Sequence, residues 1–197
     1  MLFSIFIHEL AHLIVAQRYE LEIPEIILSF IGGSFDMEDE HKIPNHLLKV
    51  YAAGPLSNLL MGLSLLLVLR IPYINFTNFI LMSLNLSGYA NIILAFFNLI
   101  PTFPLDGGRI LKALILSDSD DLYQTTKIVF VIGSIFDLGF TFYGFYLIVI
   151  SKFSNALWLI LIGIFLYLSA RYSYRYEISK YKQYLEEKFK KIEKTTV

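Results

Sequence analysis

The sequence predicts an all-α protein that crosses a membrane about five times, and two observations lead to this prediction. Hydrophobic residues make up 56% of the 197-residue chain and charged residues 17%, whereas soluble domains have about 45–50% and about 25%. The chain also contains five apolar stretches, most of them close to the roughly 20 residues that a helix needs to cross a bilayer. This composition is typical of an integral membrane protein.

The five predicted spans are separated by more polar connections. The spans cover residues 1–17, 47–69, 79–100, 128–150 and 156–170. The first and the last are short for a complete crossing, but the last continues into Tyr, Arg and Lys residues, which are common at membrane interfaces. We therefore expect a membrane domain over residues 1–170 and a basic, aromatic tail over residues 171–197 that leaves the membrane as a helix.

The longest connection follows the first span and contains a Gly-Gly pair. Gly32 and Gly33 lie between two β-prone runs, Ile26–Ile31 and Ser34–Met37. A tight hairpin turn requires positive φ angles, which glycine adopts without steric cost. We therefore expect a small membrane-associated β-hairpin between the first and the second span.

The basic residues predict the orientation of the chain in the membrane. With five spans, one side carries most of them: Arg18, Lys42, Lys49, Arg109, Lys112, Lys127 and the basic tail. The other side carries only Arg70 and Lys152. Because cytoplasmic loops are enriched in Lys and Arg, we expect the tail to be cytoplasmic. Met1 then lies on the opposite side, and a sixth span upstream of it would bring the N-terminus back to the cytoplasm.

The composition also limits the chemistry that the chain can perform. It contains no cysteine, which excludes disulfides, thiolate metal ligands and a cysteine nucleophile. A transition metal would have to be held by His, Asp or Glu side chains. The net charge of -1 gives no indication of nucleic-acid binding. Two of the four histidines, His41 and His46, lie in a polar connection, and we expect them to be solvated.

The other two histidines form a motif that is typical of zinc peptidases. His8 and His12 are four residues apart, which places both imidazoles on one face of a helix, and Glu9 follows the first of them. Zinc lowers the pKa of a water molecule, and a neighbouring carboxylate can take the water's proton. The alternative is a chance match. Three ionisable groups within an otherwise apolar span argue against chance, because such groups are costly at membrane depth and usually mark function.

A zinc site with two histidines needs a third protein ligand. Asp106 is the best candidate, because it follows a segment that Pro101 and Pro104 break and precedes Gly107. Broken helices in membranes are tolerated where they line a cavity inside the protein. Asp106 could also cap a helix, which is compatible with a ligand role. Asp137 is the rival carboxylate, and we expect it to form a hydrogen bond between helices instead.

Several segments of the sequence resemble those of a known family. His8–His12 and Asn98–Gly108 look like the two signature motifs of the site-2 protease family of intramembrane zinc proteases, peptidase family M50. Ala53–Asn58 resembles a third family segment, and the glycine-bearing stretch before Asp36 resembles the membrane-associated strand region of the family. The order and spacing are similar to the branch of the stage IV sporulation protease. That branch usually has a span before the zinc helix, which this chain does not show.

The resemblance implies specific roles. It implies one zinc ion held by His8, His12 and Asp106, with Glu9 as the general base. It also implies that Asn98 binds the substrate backbone or steadies the oxyanion, although a hydrogen bond between helices is an alternative. The implied substrate-binding residues are Asn98, Pro101, Pro104 and Phe35, the last because an extended substrate could add to the strand region.

We therefore predict a zinc metallopeptidase of the membrane that hydrolyses membrane-associated or transmembrane protein substrates. The branch resemblance suggests a sporulation sigma-factor precursor as substrate. The lipid bilayer is a second partner, and membrane-protein regulators or a homo-oligomer are compatible with the sequence. Two alternatives are a multi-pass metal transporter and an inactive relative that binds membrane segments. No internal repeat supports a transporter, and the intact Glu9 and Asp106 argue against an inactive protein.

Overall fold

The computed structural model describes residues 2–21, 44–71, 77–119, 121–150 and 153–195, and all regular elements in these ranges are helices. The six helices are α1 (Leu2–Arg18), α2 (Pro44–Val68), α3 (Asn78–Asn98), α4 (Asp106–Leu116), α5 (Leu122–Val149) and α6 (Phe153–Thr195). The predicted all-α class is confirmed for the described residues. The expected β-hairpin and Phe35 lie outside them, so neither is tested.

The described helices indicate an integral membrane protein. Four of them contain a stretch long and apolar enough to cross a bilayer: α2, α3, α5 and residues Asn155–Lys190 of α6. The 17 residues of α1 extend about 26 Å, slightly less than a hydrocarbon core of about 30 Å. Large apolar side chains point away from the protein, as at Leu2, Phe79 and Val149, which are 81–86% exposed. Such a surface suits lipid as its solvent.

The helix ends differ from the predicted spans in two places. α5 begins at Leu122 rather than at residue 128, because the carboxylate of Asp121 accepts a hydrogen bond from the backbone N–H of Gln124 (2.9 Å) and caps the helix. α6 does not end at residue 170 but continues to Thr195, so the last predicted span and the predicted tail form one helix of 43 residues. The division of the chain into two parts at residue 170 stays a prediction.

The helix α2 is the centre of the packing, since it contacts α1, α3 and α4. Gly62 of α2 and Gly88 of α3 let these two helices approach closely: a Cβ atom on Gly62 would lie 2.8 Å from the carbonyl oxygen of Gly88. Small residues commonly have this role between membrane helices. On the other side α4 packs against α5, and α5 pairs with α6 along much of its length. Both helices that carry the predicted zinc ligands, α1 and α4, therefore contact α2.

A small hydrophobic cluster fixes these three helices relative to one another. It consists of Ala16 of α1, Leu47, Val50 and Tyr51 of α2, and Ala113 of α4. All of these side chains are at most 6% exposed. The guanidinium group of Arg109 lies over the ring of Tyr51, 5.6 Å from its centroid, and adds a cation–π contact.

The C-terminal part of α6 is bound to α4 by a buried ion pair. Nζ of Lys112 lies 2.7 Å from Oε2 of Glu177, and the two side chains are only 6% and 13% exposed. Tyr181 and Tyr184 of the same helix pack against Leu116 and Leu122. The part of α6 around Glu177–Tyr184 is thus attached to the helix that begins with Asp106 and to the start of α5.

We expect Glu177→Gln to lower the apparent Tm of the detergent-solubilised protein by several degrees. The substitution replaces the carboxylate of the buried Lys112–Glu177 ion pair with a neutral amide, and breaking such a pair costs about 3–5 kcal/mol. Differential scanning fluorimetry measures the effect. Glu187→Gln is the matched control, because Glu187 is exposed on the same helix. An unchanged Tm in Glu177→Gln would show that the ion pair does not hold α6 to α4.

Candidate metal centre

Two imidazoles on α1 face α2. His8 is buried, with 6% of its surface exposed, and His12 lies one turn later on the same face and is half-buried. Their Nε2 atoms are 3.1 Å apart. The ring planes are nearly perpendicular, at 81°, with centroids 4.8 Å apart. The helical spacing predicted from the sequence therefore brings two metal-binding nitrogens to one point.

The carboxylate of Asp106 reaches the same point from α4. Its Oδ2 atom lies 3.0 Å from Nε2 of His8 and 3.4 Å from Nε2 of His12. Asp106 is the first residue of α4, whereas Leu105 occupies the cap position, so the expected alternative of a helix cap does not describe it. Among the described residues this is the one group of three His or acidic side chains that could share a metal ion. Asp137, the rival carboxylate, is not part of it.

The three ligand atoms fit a zinc ion. A tetrahedral zinc site with bonds of about 2.0–2.1 Å places its ligand atoms about 3.3 Å apart, close to the 3.0, 3.1 and 3.4 Å found here. Apart from the two histidine nitrogens, the buried Oδ2 of Asp106 has no hydrogen-bond partner among the described residues. Buried polar atoms normally have a partner, and a shared cation would supply one. Two imidazoles and a carboxylate, without a thiolate, are a ligand set typical of catalytic zinc.

A glycine of α2 lies against the two histidine side chains. A Cβ atom on Gly54 would lie 2.3 Å from Nε2 of His12 and 2.6 Å from Nε2 of His8. The sequence placed Gly54 only in the segment Ala53–Asn58, which resembles a family segment. In the structure, Gly54 has no side chain where a Cβ atom would meet the ligand nitrogens, so this space stays open. A single glycine in the sequence does not reveal such a role.

The backbone of α2 orients one of the histidines. Nδ1 of His12 lies 2.7 Å from the carbonyl oxygen of Val50, so the ring donates its Nδ1–H and keeps the lone pair of Nε2 free for a metal. Metal-binding histidines usually have such an outer hydrogen bond. Sequence reasoning did not find this contact, because a backbone carbonyl has no residue signature.

Glu9 is exposed next to this site. It follows His8 on α1, and its exposed carboxylate forms no hydrogen bond or ion pair with the described residues. His46, in contrast, is not the solvated loop histidine that was predicted. It lies in the first turn of α2, is half-buried and stacks on the ring of Tyr19, with centroids 4.4 Å apart. His41 lies outside the described residues.

The segment between α3 and α4 positions Asp106. It contains Pro101 and Pro104, both half-buried, and folds back onto the first turn of α4. A Cβ atom on Gly107 would lie 2.3 Å from the carbonyl oxygens of Leu99 and Ile100, so this close approach requires glycine. The predicted break of the third apolar stretch by prolines is therefore present. Asn98, the last residue of α3, donates its amide N–H to the carbonyl of Leu94 at 3.0 Å.

The helix α5 braces this segment. The hydroxyl of Thr102 donates a hydrogen bond to Oδ2 of Asp137 at 3.0 Å, and both residues are fully buried. Gly133 lies directly against Thr102. Asp137 thus forms its hydrogen bond with the connection that precedes Asp106, and not with another helix as the sequence suggested, because Thr102 is the hydroxyl that the fold places opposite it.

Comparison with known proteins identifies the family. The profile of peptidase family M50 matches residues 1–76 and 74–138, which is more than half of the chain. The chain belongs to peptidase family M50. The family recognised from the His8–His12 and Asn98–Gly108 motifs is confirmed, and the zinc cofactor is confirmed at the level of the family.

Individual relatives of this M50 family member agree with the assignment. A zinc metalloprotease of Methanocaldococcus jannaschii is 38% identical over 169 residues, which are 85% of this chain and 46% of the relative. Stage IV sporulation protein FB of Bacillus subtilis is 29% identical over 115 residues, which are 58% of this chain and 38% of that protein. This chain therefore spans less than half the length of either relative.

A solved structure has the same architecture. The site-2 protease from Methanocaldococcus jannaschii matches with a TM-score of 0.63 and 36% identity, over 86% of this chain and 73% of that chain. The likeness therefore covers most of this chain.

Proposed function

We propose that this M50 family member is a zinc metallopeptidase of the membrane that hydrolyses peptide bonds of membrane-associated or transmembrane substrates. The observation that carries the proposal is the convergence of His8, His12 and Asp106, whose ligand atoms lie 3.0–3.4 Å apart. Membership in the family and the names of the similar proteins support it.

In this proposal Nε2 of His8, Nε2 of His12 and Oδ2 of Asp106 hold one zinc ion. When bound, zinc supplies Lewis acidity that polarises the scissile carbonyl group. The protein contributes a fixed set of ligands: the carbonyl of Val50 orients the ring of His12, and Gly54 leaves the metal position open. No ligand has to move to complete the set.

Glu9 is proposed as the general base. Its exposed carboxylate takes a proton from a water molecule while the water oxygen forms a bond to the carbonyl carbon of the scissile peptide. When the C–N bond then breaks, the protonated Glu9 returns the proton to the leaving nitrogen. The carboxylate ends the cycle unprotonated, and the products are a new carboxyl and a new amino terminus.

A helical substrate must unwind before its carbonyl groups are accessible, and the break between α3 and α4 is the proposed place of contact. Asn98, Pro101 and Pro104 lie there, each half-buried. Phe35, which lies outside the described residues, is proposed to contact an extended substrate as well. The resemblance of the motifs to the sporulation branch suggests a sporulation sigma-factor precursor as the specific substrate, and stage IV sporulation protein FB is among the similar proteins.

The proposed topology places the C-terminal part of α6 in the cytoplasm. Arg171, Arg175 and many Lys residues after it follow the apolar part of this helix, and such residues are enriched on the cytoplasmic side. Counted with α1, the described helices supply five spans, and the metal centre is then near the cytoplasmic face. Membrane-protein regulators and a homo-oligomer are compatible with this arrangement.

Zinc content and proteolysis test the proposal together. We expect the purified chain to hold about one zinc ion and to cleave a transmembrane test peptide in liposomes, with cleavage lost in a chelator. Asp106→Ala should lose both zinc and cleavage, whereas Asp118→Ala, in an exposed loop, should keep both. Wild-type protein without zinc, or a zinc-loaded Asp106→Ala protein, would contradict the proposed ligand set. Zinc uptake into vesicles without cleavage would favour the transporter alternative.

A further inference from the structure

Asn58 of α2 contacts His8 of the candidate metal centre. It lies one turn after Gly54 on the same face of α2 and is fully buried. Its side-chain amide lies against His8, with 2.9 Å between Nδ2 and Nδ1 of the ring. Its Oδ1 atom is buried and has no hydrogen-bond partner among the described residues.

The hydrogen-bond direction decides whether His8 can bind a metal. If the amide N–H of Asn58 donates to Nδ1, the proton of the neutral imidazole must be on Nε2. Nε2 is the atom that faces Nε2 of His12 and Oδ2 of Asp106. A protonated Nε2 has no lone pair for a metal. A hydrogen bond in which Asn58 donates to Nδ1 is therefore incompatible with the ligand role of His8.

Turning the amide resolves this conflict. The NH₂ and the oxygen of an asparagine amide have nearly the same shape, so the hydrogen-bond partner determines which of them faces the ring. With Oδ1 towards His8, the amide accepts the Nδ1–H, and the lone pair of Nε2 becomes available. His12 has the same arrangement: its Nδ1–H donates to the carbonyl of Val50, and its Nε2 keeps the lone pair.

We infer that Asn58 is a positioning residue that accepts a hydrogen bond from Nδ1–H of His8 through Oδ1 and so holds this histidine in its metal-binding tautomer. The inference rests on the proposed function, because it requires His8 to be a zinc ligand. It gives α2 an acceptor for each histidine. Outer hydrogen bonds of this kind typically contribute a factor of 10–100 to metal affinity.

Another buried asparagine shows what a purely structural role looks like. Asn91 of α3 is 1% exposed, and its Oδ1 also lacks a described partner. Its Nδ2, however, donates to the carbonyl of Ser87 within its own helix, at 2.8 Å. Asn91 therefore matches Asn58 in burial and chemistry but not in its contact with the metal centre, and it supplies the control.

The experiment measures zinc affinity by competition with a chelator on the folded chain of 197 residues. Size-exclusion chromatography and the apparent Tm establish that each variant is folded. We expect Asn58→Leu to weaken zinc binding about 10–100-fold. Asn58→Asp should stay within a few-fold of wild type, because a carboxylate can only accept the Nδ1–H. Asn91→Leu should bind zinc as the wild type does.

A spectroscopic measurement keeps the test decisive where Asn58→Leu does not fold. In the zinc-loaded chain labelled with ¹⁵N-histidine, we expect Nδ1 of His8 to carry a proton in the wild type and in Asn58→Asp. An unprotonated Nδ1, or equal loss of zinc in Asn58→Asp and Asn58→Leu, would overturn the inference, as would wild-type affinity in Asn58→Leu. Absence of zinc from the wild type would instead overturn the proposed function.

Discussion

Glu9→Gln is expected to retain about one zinc ion per chain and to lose most of the proteolytic activity, by about 10²- to 10⁴-fold. Glutamine has nearly the shape of glutamate but cannot take a proton from the attacking water. The side chain is exposed and has no ionic partner among the described residues, so its replacement should disturb neither packing nor the ligands His8 and His12. The two effects therefore separate catalysis from metal binding.

Cleavage of a candidate substrate on co-expression, together with the zinc content of the purified protein, measures this prediction. Glu20→Gln is the control, because Glu20 is an exposed carboxylate just after the same helix. Retained cleavage in Glu9→Gln would remove Glu9 as the general base. Loss of zinc along with activity would mean that Glu9 acts on the metal site and not on the water.

Gly54→Ala should abolish zinc binding, and with it all cleavage. The added methyl group would lie 2.3 Å from Nε2 of His12 and 2.6 Å from Nε2 of His8, inside the van der Waals distance of both atoms. The ring of His12 cannot easily move away, because the carbonyl of Val50 holds its Nδ1 at 2.7 Å. We therefore expect zinc to fall from about one ion per chain to less than about a tenth, since the four-coordinate site loses its geometry.

Elemental analysis of the purified variant checks this result. Gly139→Ala is the matched control: it is also a helix glycine, and a Cβ atom there meets nothing within 4 Å. It should keep its zinc, and alanine in place of a helix glycine should stabilise the fold slightly. Normal zinc content in Gly54→Ala would show that the metal lies on another side of the histidines.

Much of the helix pattern could be predicted from the sequence, because long apolar stretches have few other structures in a bilayer. The ends were harder to predict. The continuation of α6 to Thr195 depends on Lys, Glu and Tyr residues that tolerate a helix, and on a tertiary contact, the Lys112–Glu177 ion pair. Hydropathy alone ends the span near residue 170.

The candidate site was also only partly predictable from the sequence. His8 and His12 could be predicted from their spacing on one helix, and Asp106 from the prolines and glycines around it. The carbonyl of Val50 could not be found, because every residue has one. His46 was assigned wrongly, because its aromatic partner Tyr19 becomes a neighbour only when α1 and α2 pack together.

Three contacts with the zinc ligands come from one stripe of α2. Val50, Gly54 and Asn58 follow one another at intervals of four residues and meet the histidines with a carbonyl oxygen, an open space and an amide. An inserted or deleted residue would rotate everything after it by about 100° around the helix axis. The length of this segment is therefore as constrained as its residue types.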